Sequence, residues 1–121
     1  MNKTKALKLN KDFRRLYYRG KNIACGYVVV YVQKNRLRGN RLGITCSKTV
    51  GKAVVRNRIK RLIRESYRLS EPQLKNGYDI VIVARTRAAG KSFEAIKRDV
   101  RYAFGKLEMF EENEKSASFS D

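Results

Sequence analysis

Histidine is absent from this chain, and with it the commonest general base and the commonest transition-metal ligand. Tryptophan is missing too, Pro72 is the one proline, and Cys25 and Cys46 are the two cysteines. Both cysteines sit in strand-like apolar surroundings, which suits reduced core thiols better than a disulfide or a metal site. Acids are scarce, with 11 Asp and Glu against 29 Lys and Arg. They are also scattered: Asp12, Glu65, Asp79, Glu94, Asp99 and Glu108 are each explained by a helix terminus, an ion pair or a strand edge. The clustered carboxylates that a metal-dependent phosphodiesterase requires are therefore not in view. No apolar run approaches the roughly 20 residues that cross a bilayer, and the N-terminus lacks the apolar core and cleavage site of a secretory signal. The expectation is a cytoplasmic protein with no membrane partner.

What remains is dominated by positive charge. At 121 residues the chain is expected to form one domain with one core, and a net charge of +18 with pI ≈ 10.4 points to a polyanionic partner. The charge is best organised between Ala53 and Leu69. At about 100° per residue, Val55, Ile59, Leu62, Ile63, Ser66 and Leu69 fall on one arc of a helix. Arg56, Asn57, Lys60, Arg61, Arg64 and Arg68 fall on the opposite arc, with no acid among them. Glu65, at the edge of the basic arc, is expected to pair with Arg61 one turn earlier. From Arg56 to Arg68 such a helix rises about 18 Å and presents a row of guanidinium forks and ammonium groups suited to phosphates. Asn57 adds an uncharged donor and acceptor for a 2′-hydroxyl or a base edge.

The rest of the chain reads as alternating short elements. Residues 1–9 carry Lys3, Lys5 and Lys8 without a lasting period and are expected to be a flexible basic arm. Asn10 is placed to cap a helix with Asp12 in its first turn, Phe13, Leu16 and Tyr17 on one face, and Gly20 as a left-handed terminator. From Ile23 to Gln33 the Val- and Tyr-rich run is strand-like, and Gly26 is placed to split it in two. Tyr27, Val29 and Tyr31 alternate there with Val28, Val30 and Val32, so one set faces the core and the other is free to line a groove. A polar connection from Asn35 to Asn40 leads to a strand over Arg41–Cys46. Ser47–Lys52 precedes the basic helix, but Gly51-Lys52 is not followed by Ser or Thr, so a phosphate-cradling nucleotide loop is not supported. Asn76-Gly77 is a turn before the strand Tyr78–Ala84. Ser92 is the cap of a last helix with Phe93, Ile96, Val100, Ala103, Phe104 and Leu107 as its apolar stripe. The Ser-containing tail 110–121, with Glu111, Glu112, Glu114 and Asp121 against Lys115, reads as disordered.

The segment Ala53-x-x-Arg56-Asn57-Arg58-Ile59-Lys60-Arg61-Leu62-Ile63-Arg64 resembles the Arg-Asn-Arg motif of the bacterial ribonuclease P protein subunit. Further blocks are similar in the same order: Lys11-Asp12-Phe13-Arg14-Arg15 with Arg19-Gly20, Gly43-Ile44-Thr45-Cys46-Ser47-Lys48 with Gly51-Lys52-Ala53, and Gly77 to Arg85. The resemblance implies an α+β fold, a two-layer α/β sandwich of order αβββαβα. In it a left-handed βαβ crossover passes through the basic helix, a hand found in about 2% of such units. It implies a protein subunit of a ribonucleoprotein endoribonuclease whose catalytic groups lie in the RNA. That enzyme removes the 5′ leader of precursor tRNA. Its Mg²⁺ or other divalent cation is expected to be held mainly by the RNA.

Carried onto this chain, the resemblance makes residues 1–109 a single RNA-binding domain. Arg56, Asn57, Arg58, Lys60, Arg61, Arg64 and Arg68, with Lys48 and Lys52, would contact RNA. Phe13, Tyr17, Tyr31, Val29 and Arg14 would line the cleft for the leader. The expected partners are the catalytic RNA subunit and precursor tRNA, with no obligatory protein partner. A structural RNA-binding protein of ribosomal type would share the charge and the helix, but would need no aromatic cleft. An autonomous nuclease would need acids that are absent.

Overall fold

Alternation along the central strand decides how the sheet is covered. The computed structural model describes residues 4–111, in the order β1 Thr4–Ala6, α1 Asn10–Arg19, β2 Lys21–Ala24, β3 Val28–Lys34, β4 Asn40–Thr45, α2 Ala53–Ser70, β5 Tyr78–Ala84 and α3 Phe93–Lys106. From α1 onward the elements follow the expected order, and the five strands form one sheet ordered β1-β4-β5-β3-β2. β1 and β5 run parallel to β4, whereas β3 is antiparallel to both β5 and β2. The parallel neighbours β4 and β5 are joined through the basic helix. Gly26 does split the Val/Tyr run, and β2 and β3 flank the turn that contains it.

In β3, Val28, Val30 and Val32 are buried, while Val29, Tyr31 and Gln33 on the other face are half-buried. The first set packs with Leu42, Ile80 and Ile82 against Ile59, Ile63 and Tyr67 of α2 and Ile96, Val100 and Phe104 of α3. Each such fully buried side chain contributes about 1.5–3 kcal/mol relative to exposure. The second face carries a smaller cluster, Leu7, Leu16 and Val81, with Phe13, Tyr31 and Val83 against it. The Ser92 hydroxyl accepts from the Ala95 N–H at 3.1 Å, so α3 starts where its cap was expected.

Several local expectations are corrected. Residues 4–9 are not a free arm: Thr4–Ala6 pairs with Asn40–Leu42 on the otherwise open edge of β4, and Leu7 is buried. The Thr4 hydroxyl lies 2.7 Å from the buried Tyr67 hydroxyl and also donates to Glu71, which ties β1 to α2. Residues 1–3 of the arm and 112–121 of the tail lie outside the described residues. Phe110, placed in the tail, bridges to Leu74, and Glu111 donates its N–H to the Gln73 carbonyl at 2.8 Å.

Leu9 rather than Asn10 precedes α1 as its cap residue, since its carbonyl already accepts from Asp12 and Phe13. Gly20 is extended (φ −72°, ψ 150°), not left-handed, because the chain runs straight into β2. Glycine is needed there for space, as a Cβ would sit 2.7 Å from the Leu16 carbonyl oxygen. In α2, Leu69 is exposed, and Tyr67 and Ser70 are the buried residues of the last turn.

Candidate nucleic-acid interface

A groove and a helix make the candidate interface, and the groove begins with what holds α1 on the sheet. Leu16 is fully buried against Leu7 and Val81. On the same helix Arg15 reaches two acids, Asp12 at 2.7 Å and Asp79, and donates to Gln33 at 2.8 Å. Asp79 is itself fully buried in β5, where Arg41 of β4 donates to both of its oxygens at 2.8 and 2.7 Å and Asn35 donates at 3.0 Å. Burial pushes the Asp79 carboxyl up. Hydrogen bonds from Arg41 and Asn35, with the Arg41 and Arg15 charges, outweigh that and hold it below the usual carboxylate range. This network fixes the rotation of α1 over the sheet.

With α1 set in this way, its aromatics meet the sheet's second face. Phe13 lies over Gly43, where even a Cβ would stand 2.5 Å from the ring. The Phe13 and Tyr17 ring centroids are 6.5 Å apart, and Tyr17 meets Tyr31 edge to face at 5.0 Å and 72°. The groove beside them, about 430 Å³, is lined by Asn10, Phe13, Arg14, Tyr17 and Thr45. Tyr17 keeps 41% of its surface exposed, so its ring face is partly free. Val29 lies one row along the sheet, in register with Val83, which is in turn in register with Thr45.

The basic helix is also as expected in outline. Asn57, Arg61, Arg64 and Arg68 are exposed, and Arg56, Arg58 and Lys60 are half-buried. Val54, Val55, Asn57, Arg58 and Arg61 line a shallow hollow along its first half. Lys48 and Lys52, in the turn and cap before it, are exposed. Two of these cations are already engaged. Arg58 donates to the Lys91 carbonyl at 3.1 Å, across to the loop before α3. Glu65 pairs with Arg68 instead of Arg61, with both carboxylate oxygens accepting from the Arg68 Nε at 3.1 Å.

The end of β4 joins the two parts. Thr45 lines the groove, and the next residue, Cys46, lies within the field of Lys60 and Arg56. Burial pushes the Cys46 thiol up, and those two cations oppose it. The groove lies on one face of the sheet and the basic helix packs on the other, with Arg56 and Lys60 of its first turns near the end of β4. Such an arrangement stacks bases and neutralises phosphates.

Sequence reasoning missed three contributors, Asp12, Asp79 and Gly43. Asp12 and Asp79 were accounted for singly, as a helix-terminus charge and a strand-edge acid, and they are buried members of one network. A carboxylate inside the Val/Ile run of β5 was the available signal. Gly43 carried no signal of its own, because its role is the space it leaves for Phe13.

The ribonuclease P family profile matches residues 1–108. The ribonuclease P protein component of Clostridioides difficile is 46% identical over 101 residues, covering 83% of this chain and 89% of that one. The corresponding protein of Clostridium acetobutylicum is 44% identical over 116 residues, covering 94% and 98%. Among solved structures, the RNase P protein of Staphylococcus aureus superposes with a TM-score of 0.81 at 34% identity, covering 88% of this chain and 97% of that one. That of Thermotoga maritima superposes with 0.73 at 30% identity, covering 81% and 93%.

Proposed function

The chain belongs to the bacterial ribonuclease P protein family, and from that membership we propose that its α1 groove receives the 5′ leader of precursor tRNA while its basic helix grips RNA beside it. As the protein component of ribonuclease P it is a subunit of a ribonucleoprotein endoribonuclease that matures tRNA 5′ ends, with catalysis in the RNA. Its partners are then the RNase P RNA and precursor tRNA. The cytoplasm is the compartment where this substrate is made, and no helix among the described residues is long and apolar enough to cross a membrane.

Assistance by this chain is a matter of binding. Arg61, Arg64 and Lys60 neutralise phosphates and release counterions, which is favourable for any RNA. Phe13, Tyr17 and Tyr31 offer ring faces to the unpaired bases of the 5′ leader, a single strand that mature tRNA lacks at its 5′ end, so this part of the affinity distinguishes substrate from product. Holding the leader in the groove orients the scissile phosphate for the RNA catalyst. Arg58 acts first as a brace for the loop at Lys91.

A divalent cation supplies the Lewis acidity and activated water of such a reaction. No three Cys, Asp or Glu side chains gather as ligands among the described residues, and the buried Asp12 and Asp79 are engaged by arginines. These side chains do not fit a metal cage, and we assign the ion to the RNA.

The observation that carries the groove reading is the trio Phe13, Tyr17 and Tyr31, gathered on one face of the sheet, with Arg14 in the groove wall and Tyr17 still partly open to solvent. A ribosomal-type RNA-binding protein has no use for such a groove. The test compares holoenzymes carrying Tyr17→Ala or Tyr31→Ala. Affinity for precursor tRNA should fall by about 1–3 kcal/mol per lost stack, with mature tRNA nearly unaffected. Equal losses on both RNAs, with a lowered melting temperature, would show that these are packing residues only.

A further inference from the structure

Tyr18 is 88% exposed, the most open large apolar side chain among the described residues, and it lies outside the groove lining. A single exposed tyrosine is ordinary. Its neighbours are what make this one informative. Stepping about 100° per residue around α1, the side chains leave the sheet in the sequence Phe13, Tyr17, Arg14, Tyr18, Lys11, each roughly 20–60° beyond the last. Exposure follows the same order. Phe13 is half-buried, Tyr17 is 41% exposed, and Arg14, Tyr18 and Lys11 stand in solvent. Arg14 lines the groove and stands between Tyr17 and Tyr18, so the groove wall continues without a break onto the outer ridge of the helix.

Charge on that ridge is uncompensated. The acid of α1, Asp12, is turned to the sheet and engaged by Arg15 and Arg41, and neither Lys11 nor Arg14 has an acidic partner among the described residues. An aromatic face flanked by two free cations, one turn and two turns earlier on the same helix, fits a nucleotide. The base stacks on the ring and the phosphates lie over the cations.

We propose that Tyr18 is a second stacking platform for the leader: a nucleotide that leaves the groove past Tyr17 lays its base on Tyr18, with its phosphates over Arg14 and Lys11. The proposal rests on the groove being the leader site, and it sets how far along the leader the protein reads. Leaders that end inside the groove do not reach Tyr18; longer ones do.

The experiment measures holoenzyme affinity for three RNAs: mature tRNA, precursor tRNA with a leader only long enough for the groove, and precursor tRNA with a leader several nucleotides longer. Tyr18→Ala should weaken the long-leader RNA roughly fivefold, the low end for one stacked base, and leave the other two unchanged. Tyr18→Phe, which keeps the ring, should retain full affinity. The melting temperature should not move, since the side chain packs on little. No loss on the long leader, or equal loss on all three RNAs, overturns the proposal. Tyr17→Ala run in parallel separates the two claims. If it shows no leader-selective loss, the groove reading fails; a selective loss with Tyr17→Ala and none with Tyr18→Ala leaves the groove and removes the ridge.

Discussion

Replacing Gly43 by alanine puts a methyl group where the Phe13 ring lies. The added Cβ would stand 2.5 Å from Cζ and 2.6 Å from Cε1 of Phe13, against an ordinary carbon contact of roughly 3.5–4.0 Å, so the ring must recede by about 1 Å. Leu7, Leu16 and Val81 close off its apolar side, which leaves movement outward, into the groove. Overpacking of this kind costs about 1–3 kcal/mol, and removing a glycine from a strand interior returns about 0.5–1 kcal/mol. The net loss should be about 0–2.5 kcal/mol, or up to about 10 °C in melting temperature. A double-mutant cycle isolates the clash. In a Phe13→Ala background the ring is gone, and Gly43→Ala should become neutral or slightly stabilising. Denaturant unfolding of the four proteins measures this directly, and precursor tRNA affinity should fall with the single Gly43→Ala change while mature tRNA affinity holds. An equal stability cost in both backgrounds would refute the assignment of Gly43 as the space for Phe13.

Reversing Arg61 and Arg64 to Glu tests the helix face: with about five phosphates contacted, log affinity should fall against log salt with slope of roughly −4, and the reversal should flatten it. An unchanged slope would return that face to solvent. Glu65→Gln frees Arg68 from its partner and should steepen the slope by about 0.7–0.9, with no change in melting temperature; a shallower slope would contradict it. Asp79→Ala removes the fully buried carboxylate between Arg15 and Arg41, leaving them Asp12 alone, and should destabilise the fold by about 3 kcal/mol in urea unfolding. Because the Asp79 carboxyl is held below its unfolded value of roughly 3.9, its contribution is intact above that pH and lost as pH falls through the lowered folded value. Asp79→Asn, which cannot titrate, should therefore lose less stability than the natural protein on acidification below about pH 4. Identical acid profiles would show that Asp79 is not responsible.

Much of the candidate site's framework was readable along the chain, because helical and strand periodicity belongs to one element at a time. Arg56 to Arg68 declare a basic face by spacing alone, Val28 to Val32 declare which side chains enter the core, Gly26 marks the split between two strands, and Ser92 marks a helix start. The order of those elements followed. What periodicity does not carry is which element lies against which, and there the tertiary structure decided. Thr4–Ala6 has too few residues to show a period and became a strand because the edge of β4 was open to it. Tyr67 was drawn into the core, and Leu69 left outside, by where β1 and α3 pack on the last turns of α2. Glu65 had two arginines within one helical turn and took Arg68, a choice of side-chain geometry that charge spacing leaves open. Asp12 and Asp79 are 67 residues apart in number yet share Arg15 and Arg41, and Gly43 matters only because α1 sets Phe13 down on it. Contacts of this kind depend on strand register and helix rotation, which arise only when the whole sheet is assembled.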